Sequence, residues 1–417
     1  MRAGARIWSG LGLVCLALAA AGLRADDGLD DHWVLRGVAL GMREPSAAVP
    51  VFNPLTHAYL GQVPLDPNDW DSAFQASLRN YGGWELGQGL RLEWNLLASA
   101  ETASAGLSLT AQPLGRSAVL ERRAYGDAQH QDNAEVDQLN LRWQTAQVSV
   151  VAGRQPVNLG QNFFFSPLDL FEPFNPQDNY RDFRSGVDAL RATWSPGHFT
   201  QVEAIAVAGY APAPEGGNAT QDALWLDGPQ GQGSLLLRAE SGGDDWAATA
   251  LGGRFAGLEV GGASLQLEGL GSSWILEGLA GQALGPPPGQ TQDQGQATLG
   301  WTRQCNSWLN ARVEASETAA SVMGASGGST TLRRLAAASA SIQADPLWTL
   351  APALLWYGDP GQCVAMLDAG WSASENGVLH IILSLPVLFY YSEEAHALPT
   401  QTQGQPSLLS LDYRLVI

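Results

Sequence analysis

The closing segment SLLSLDYRLVI sets Leu409, Leu411, Tyr413, Leu415 and Ile417 on one parity, against Ser410, Asp412, Arg414 and Val416 on the other. A period of two residues is that of a β-strand with one apolar face and one polar face. The period returns in Leu90, Leu92, Trp94 and Leu96 against Arg91, Glu93 and Asn95. It appears again in Leu309, Ala311, Val313 and Ala315 against Asn310, Arg312 and Glu314. Charge in mid-strand, confined to one face, is expected where one side meets lipid and the other a wet lumen. No apolar run of roughly 18 residues, the length a membrane helix needs, follows residue 26. If the chain spans a membrane, it does so as a closed barrel, which alone satisfies every backbone group of a strand in lipid.

Composition agrees. Only 15% of the residues are charged, against about 25% in an ordinary soluble domain. The 22 basic residues are all arginine, and 41 acidic residues leave a net charge of −19. Such acidity opposes nucleic-acid binding. The first 25 residues combine Arg2 and Arg6, an apolar stretch from Ile7 to Leu18 and small residues at Ala19 to Ala21 and Ala25, the layout of a secretion signal. Residues 26–417 are then the exported barrel. Cys305 and Cys363 fall at opposite ends of it and are expected to be unpaired thiols.

Connections alternate in length from the C-terminus backward. Short turns are read at 374–377, 345–348, 305–307, 269–272, 241–245, 195–198 and 144–146. Longer polar stretches are read at 392–406, 317–330, 283–293, 210–232 and 155–186. Short periplasmic turns with longer outer loops orient an outer-membrane barrel and place its C-terminus in the periplasm. Trp143, Trp194, Trp246, Trp274, Trp301, Trp348 and Trp371 all lie close to the short turns, as a periplasmic aromatic girdle would. Trp308 has the wrong parity for it. With WVLRGVAL (33–40) as the opening strand, the reading is an all-β, antiparallel transmembrane outer-membrane β-barrel of about 18 strands, 16 being the alternative. Residues 42–72 are an outer loop or a periplasmic extension, and 105–125 have room for an extra strand pair.

The most distinctive stretch is GRQPVNLGQNFFFSPLDLFEPFNPQDNYRDFRSGVD, residues 153–188. Gly153 with the Val150-Val151 doublet predicts a bulge that turns Arg154 into the lumen. The loop's phenylalanines are too apolar for a solvated loop, so it is expected to fold onto the wall or into the pore. There Arg154, Asp169, Glu172, Asp178, Arg181, Asp182 and Arg184 would form a charged constriction, while Arg91, Glu93, Arg142, Arg191, Arg312, Glu314 and Arg414 would line the lumen, joined by Arg79 and Arg238. The GRQ element followed by a long Asn/Pro/Phe-rich loop resembles porin-like barrels of the alginate-export type. That resemblance implies a porin-like channel.

No HExxH, CxxC, CxxCH or Gly-x-Ser-x-Gly element is present, so neither a metal centre, a cofactor nor an enzyme is expected. The expected function is passive diffusion of small polar or anionic solutes across the outer membrane of a Gram-negative bacterium. The alternative is a sleeve around a partner such as a multihaem cytochrome. Expected partners are membrane lipid, lipopolysaccharide and, through the C-terminal strand, the barrel-assembly machinery.

Overall fold

A computed structural model describes residues 29–416, apart from 44–48, 53–58, 64–69, 104–120, 128–129, 172–182, 210–232, 285–289, 325–326, 359–361 and 389–406. The secretion signal at 1–25 lies outside the described residues. In chain order the strands are β1 (Leu29–Arg43), β2 (Val49–Phe52), β3 (Tyr59–Val63), β4 (Trp70–Gly87), β5 (Leu90–Ala103), β6 (Glu121–Asp127) and β7 (His130–Gln144). They continue with β8 (Val148–Gln155), β9 (Val187–Gly197), β10 (Thr200–Val207), β11 (Ser234–Gly242), β12 (Trp246–Phe255), β13 (Leu258–Gly269) and β14 (Ser272–Ala283). The last are β15 (Gln290–Gln304), β16 (Leu309–Gly324), β17 (Gly327–Gln343), β18 (Trp348–Tyr357), β19 (Gln362–Ser374), β20 (Gly377–Leu388) and β21 (Ser407–Val416).

All strands except β2, β3 and β6 form one closed antiparallel barrel of 18 strands, each paired to the next and β21 returning to β1. At that seam Arg36 donates from Nε and Nη2 to Asp412, at 3.0 and 2.7 Å, so a forked ion pair joins first strand to last. β2 and β3 form a separate hairpin between β1 and β4. β6 pairs with the outer half of β7, while β8 takes the lower half of the same edge.

The alternation is realised on strands all round the barrel, except where the inner face is itself apolar. Leu141, Leu237, Leu276, Leu299, Val313 and Leu411 are exposed on the outer surface, and their neighbours Glu277, Thr298, Glu314 and Asp412 are buried inside. Trp143, Trp194, Trp246, Trp274, Trp348 and Trp371 are exposed at one end as a belt, with Trp274 beside Trp301 and Trp348 stacked on Trp371. Trp308 lies in the β15–β16 turn, so strand parity does not apply to it. Cys305 and Cys363 are both free.

One expectation about loops fails. Residues 317–330 are not a loop, since β16 runs to Gly324 and β17 starts at Gly327, with Arg334 and Glu317 paired across them at 2.8 Å. Small polar residues there still satisfy the period of two, although their composition reads as a loop. The outer β12–β13 connection is only Ala256 and Gly257, both at positive φ (44° and 87°), the two-residue hairpin geometry that glycine favours.

Candidate functional site

The chain leaves the wall at the end of β8 and re-enters it at β9, and the neck is built from Gly153, Arg154 and Gln155. Gly153 sits at φ 117°, and a Cβ there would overlap the Leu139 carbonyl, so only glycine fits. Arg154 donates to both Asp188 oxygens, at 2.7 and 3.0 Å, and to the Val136 carbonyl at 3.0 Å. Gln155 donates to the carbonyls of Val151 and Ala189. This corrects the expectation that Arg154 faces the constriction. Its side chain is 0% exposed, and it braces the base of the loop.

From the neck, residues 156–171 run inside the barrel. Val157, Leu159, Leu168 and Phe171 pack on Val187, Ala189, Ile205, Val207, Leu236, Leu251 and Val260, an apolar patch on the inner faces of β9 to β13. Phe164 and Phe165 pack on Ala337, Leu355, Val364 and Met366 of β17 to β19. Between the two patches, two wall carboxylates hold the loop's backbone. The amides of Phe163, Phe164 and Phe165 all donate to Glu314, at 2.7, 2.7 and 3.0 Å. Glu277 accepts from the amides of Gln161 and Asn162 and from the Ser166 hydroxyl. Gly262 and Gly300 leave room on the wall for the side chains of Leu168 and Asn162, which a Cβ at either position would displace. Glu314, expected on the lumen surface, is therefore covered by the loop. Glu277 escaped sequence reasoning, although an isolated acid flanked by Ile275 and Leu279 on one face was the available signal.

The loop's return limb is held on two sides. Arg184 Nη1 pairs with Asp169 Oδ2, tying the limbs together. Phe183 turns to the opposite wall, with the Arg79 guanidinium over its ring at 4.4 Å, that of Arg414 at 5.8 Å and Tyr81 edge-on at 5.3 Å. Glu172, Asp178, Arg181 and Asp182 lie outside the described residues.

Burial pushes the Asp169 carboxyl from its ordinary value of 3.8 up to about 6, against the opposing pull of Arg184. A carboxyl raised by folding binds its proton earlier in the folded state, so acidification through that window stabilises the fold and leaves the barrel intact. What changes is charge, since Asp169 becomes neutral beside Arg184. In a KCl gradient the reversal potential is expected to shift toward anion preference between pH 7 and pH 5. Asp169→Asn should show the acidic value already at pH 7, and an equal pH response in that variant would exclude Asp169 as the source.

The remaining wall carries guanidinium groups pinned by acids or amides. Arg79 pairs with Asp137 and Asn95, Arg91 with Glu85 at 2.7 Å, and Arg142 with Glu93 at 3.0 Å. Arg191 and Arg238 share the fully buried Glu203. Arg312 lies over the exposed Phe163 ring at 3.9 Å. Arg414 is on the inner face of β21, beside the seam. His380 and Asp368 are joined at 2.9 Å on the inner faces of β20 and β19. Val34, Arg36, Gln75, Ser77, Arg79, Leu97 and Ser99 line a small recess of about 60 Å³.

No protein-family model and no curated protein matches the chain. Solved structures do. OccAB4 of Acinetobacter baumannii superposes with TM-score 0.57 at 6% identity, covering 94% of this chain and 98% of its own. The fold is that of an outer-membrane porin. The outer membrane protein opdK of Pseudomonas aeruginosa and a BenF-like porin of Pseudomonas fluorescens Pf-5 each reach 0.54 at 10% identity. They cover 93% of this chain and 98% and 99% of their own.

Proposed function

We propose that this chain is a porin-like channel of a Gram-negative outer membrane, through which small polar or anionic solutes diffuse passively. The observation that carries the reading is the inward loop, fixed to the wall by Glu277 and Glu314, which narrows a lumen otherwise bordered by oriented guanidinium groups. Guanidiniums held by carboxylates keep their position, and in a confined passage their field on a solute is less screened than in bulk water. The loop also argues against the sleeve reading, because a multihaem cytochrome would need the space it crosses. The lipid-facing surface makes membrane lipid the barrel's surroundings. Lipopolysaccharide at the outer rim, the assembly machinery at β21 and cleavage of residues 1–25 as a secretion signal belong to the same proposal. The finer likeness to alginate-export barrels rests on Gly153, Arg154, Gln155 and the loop after them.

The test is planar-bilayer conductance of the refolded protein. Stepwise ion currents are expected, and Arg181→Ala combined with Arg184→Ala should shift the KCl reversal potential toward cations. Absence of current from verified barrels refutes the channel, whereas unchanged selectivity in the double variant refutes only the constriction role of those arginines.

A further inference from the structure

Arg312 differs from the other guanidiniums of the inner wall. Arg36, Arg79, Arg91, Arg142, Arg191 and Arg238 each meet a carboxylate. Among the described residues Arg312 meets none. Its contacts are the Thr302 hydroxyl, 3.3 Å from Nε, and the Phe163 ring at 3.9 Å. Glu314, the next acid on the inner face of β16, is committed to the three amides of the loop. Register places Thr302 of β15 and Ser339 of β17 on either side of Arg312, with Gln304, Asn310 and Ser341 following toward the β15–β16 turn. All five neighbours are neutral. Phe163 covers one flat face of the guanidinium and so fixes its plane, while the terminal nitrogens donate to no described residue and stay open to solvent. A fork of donors held in one plane matches two oxygens of a single anion.

We propose that Arg312, with Thr302 and Ser339, is a binding site for a small oxyanion of the phosphate class on the short-turn side of the loop. The proposal rests on the channel reading and deepens it, since an anion that has passed the loop gains a holding point on the wall of β15 to β17. A guanidinium already paired with a carboxylate must give up that partner to take an anion, whereas Arg312 has no internal competitor. Two oxygens of the anion would accept from its terminal nitrogens. Thr302 accepts from Nε and keeps its own proton to donate, and Ser339 adds a second hydroxyl. Chloride meets the same charge but has a single centre and cannot use the fork.

The experiment reads the phosphorus NMR linewidth of inorganic phosphate titrated with the refolded protein in a maltoside detergent and KCl. The wild type should broaden the line saturably. Arg312→Gln should weaken binding about 10- to 100-fold, the range for losing a charged hydrogen-bond donor. Arg312→Lys keeps the charge without the fork and should recover only part of the affinity, which keeps the test decisive if the Gln variant refolds poorly. Phe163→Leu retains the backbone amide on Glu314 but removes the ring, and affinity should fall about 2- to 5-fold. Arg303→Gln makes the same change in net charge at an exposed position on the outer face and should bind as the wild type does. No saturable broadening by the wild type, full affinity in Arg312→Gln, or equal losses in Arg312→Gln and Arg303→Gln overturn the site. Bilayer recordings of the same preparations separate the two readings, because saturable phosphate binding without any KCl current would overturn the channel and leave the site standing.

Discussion

Glu314→Ala should release the loop from the wall. Three backbone amides lose their acceptor at once, in a place where Glu314 is 2% exposed and Phe164 and Phe165 are buried. An amide donating to a charged acceptor contributes about 1.5–3 kcal/mol, and a buried donor left without a partner costs about 1–3 kcal/mol. Even with strong non-additivity the loss approaches the ~5.5 kcal/mol that reverses a 99:1 population. The phenylalanine patch still favours docking, so the expected outcome is exchange between docked and undocked states. Bilayer recordings should show higher mean conductance and added open-channel noise, and protease added to the refolded protein should cut within 156–171. Glu314→Gln retains one acceptor oxygen and should fall between the two. Wild-type conductance together with wild-type protease resistance in the Ala variant would show that apolar packing alone holds the loop.

The second large effect belongs to the neck. Arg154→Ala removes a buried guanidinium whose hydrogen bonds reach both Asp188 oxygens and the Val136 carbonyl. Removing one partner of a buried pair costs about 3–5 kcal/mol, because the remaining charge loses its compensation. The variant barrel should unfold at a clearly lower temperature in detergent, read as the change in gel mobility on heating. Arg154→Lys should recover little, since an ammonium cannot reproduce the fork. Adding Asp188→Asn to Arg154→Ala should restore part of the loss by removing the carboxylate's charge from the neck. If heat resistance is unchanged in Arg154→Ala, the neck does not depend on this pair.

The strand framework was legible because lipid contact forces a two-residue period on the outer face whatever the inner face does. Leu309 to Ala315 and Leu409 to Val416 form their strands in the expected alternation. The bulge expected at Gly153 does not form, since the registers of β8 with β7 and β9 run unbroken through it and the glycine instead takes φ 117°. The inner face was harder to read, because it answers to two environments. Where it meets water it is polar, as at Arg79, Arg91 and Arg142. Where the loop covers it, as at Ile205, Leu236, Leu251 and Leu355, it is apolar. A strand covered on both sides loses its contrast, and only a three-dimensional partner explains why. Arg154 and Glu314 were both expected to face solute. A lone charge such as Glu314 on the inner parity carries no mark of whether water or a backbone amide will satisfy it, and Arg154 was turned inward in that reading only by the bulge that does not form. The Ala256-Gly257 turn was missed because two residues of low polarity give no loop composition to detect.

Glu314 and Glu277 hold the segment mostly through its peptide groups, which every residue but proline possesses. Evolution can therefore exchange Gln161, Asn162 and Phe163 with little effect on anchorage, altering what the passage admits while the scaffold stays fixed.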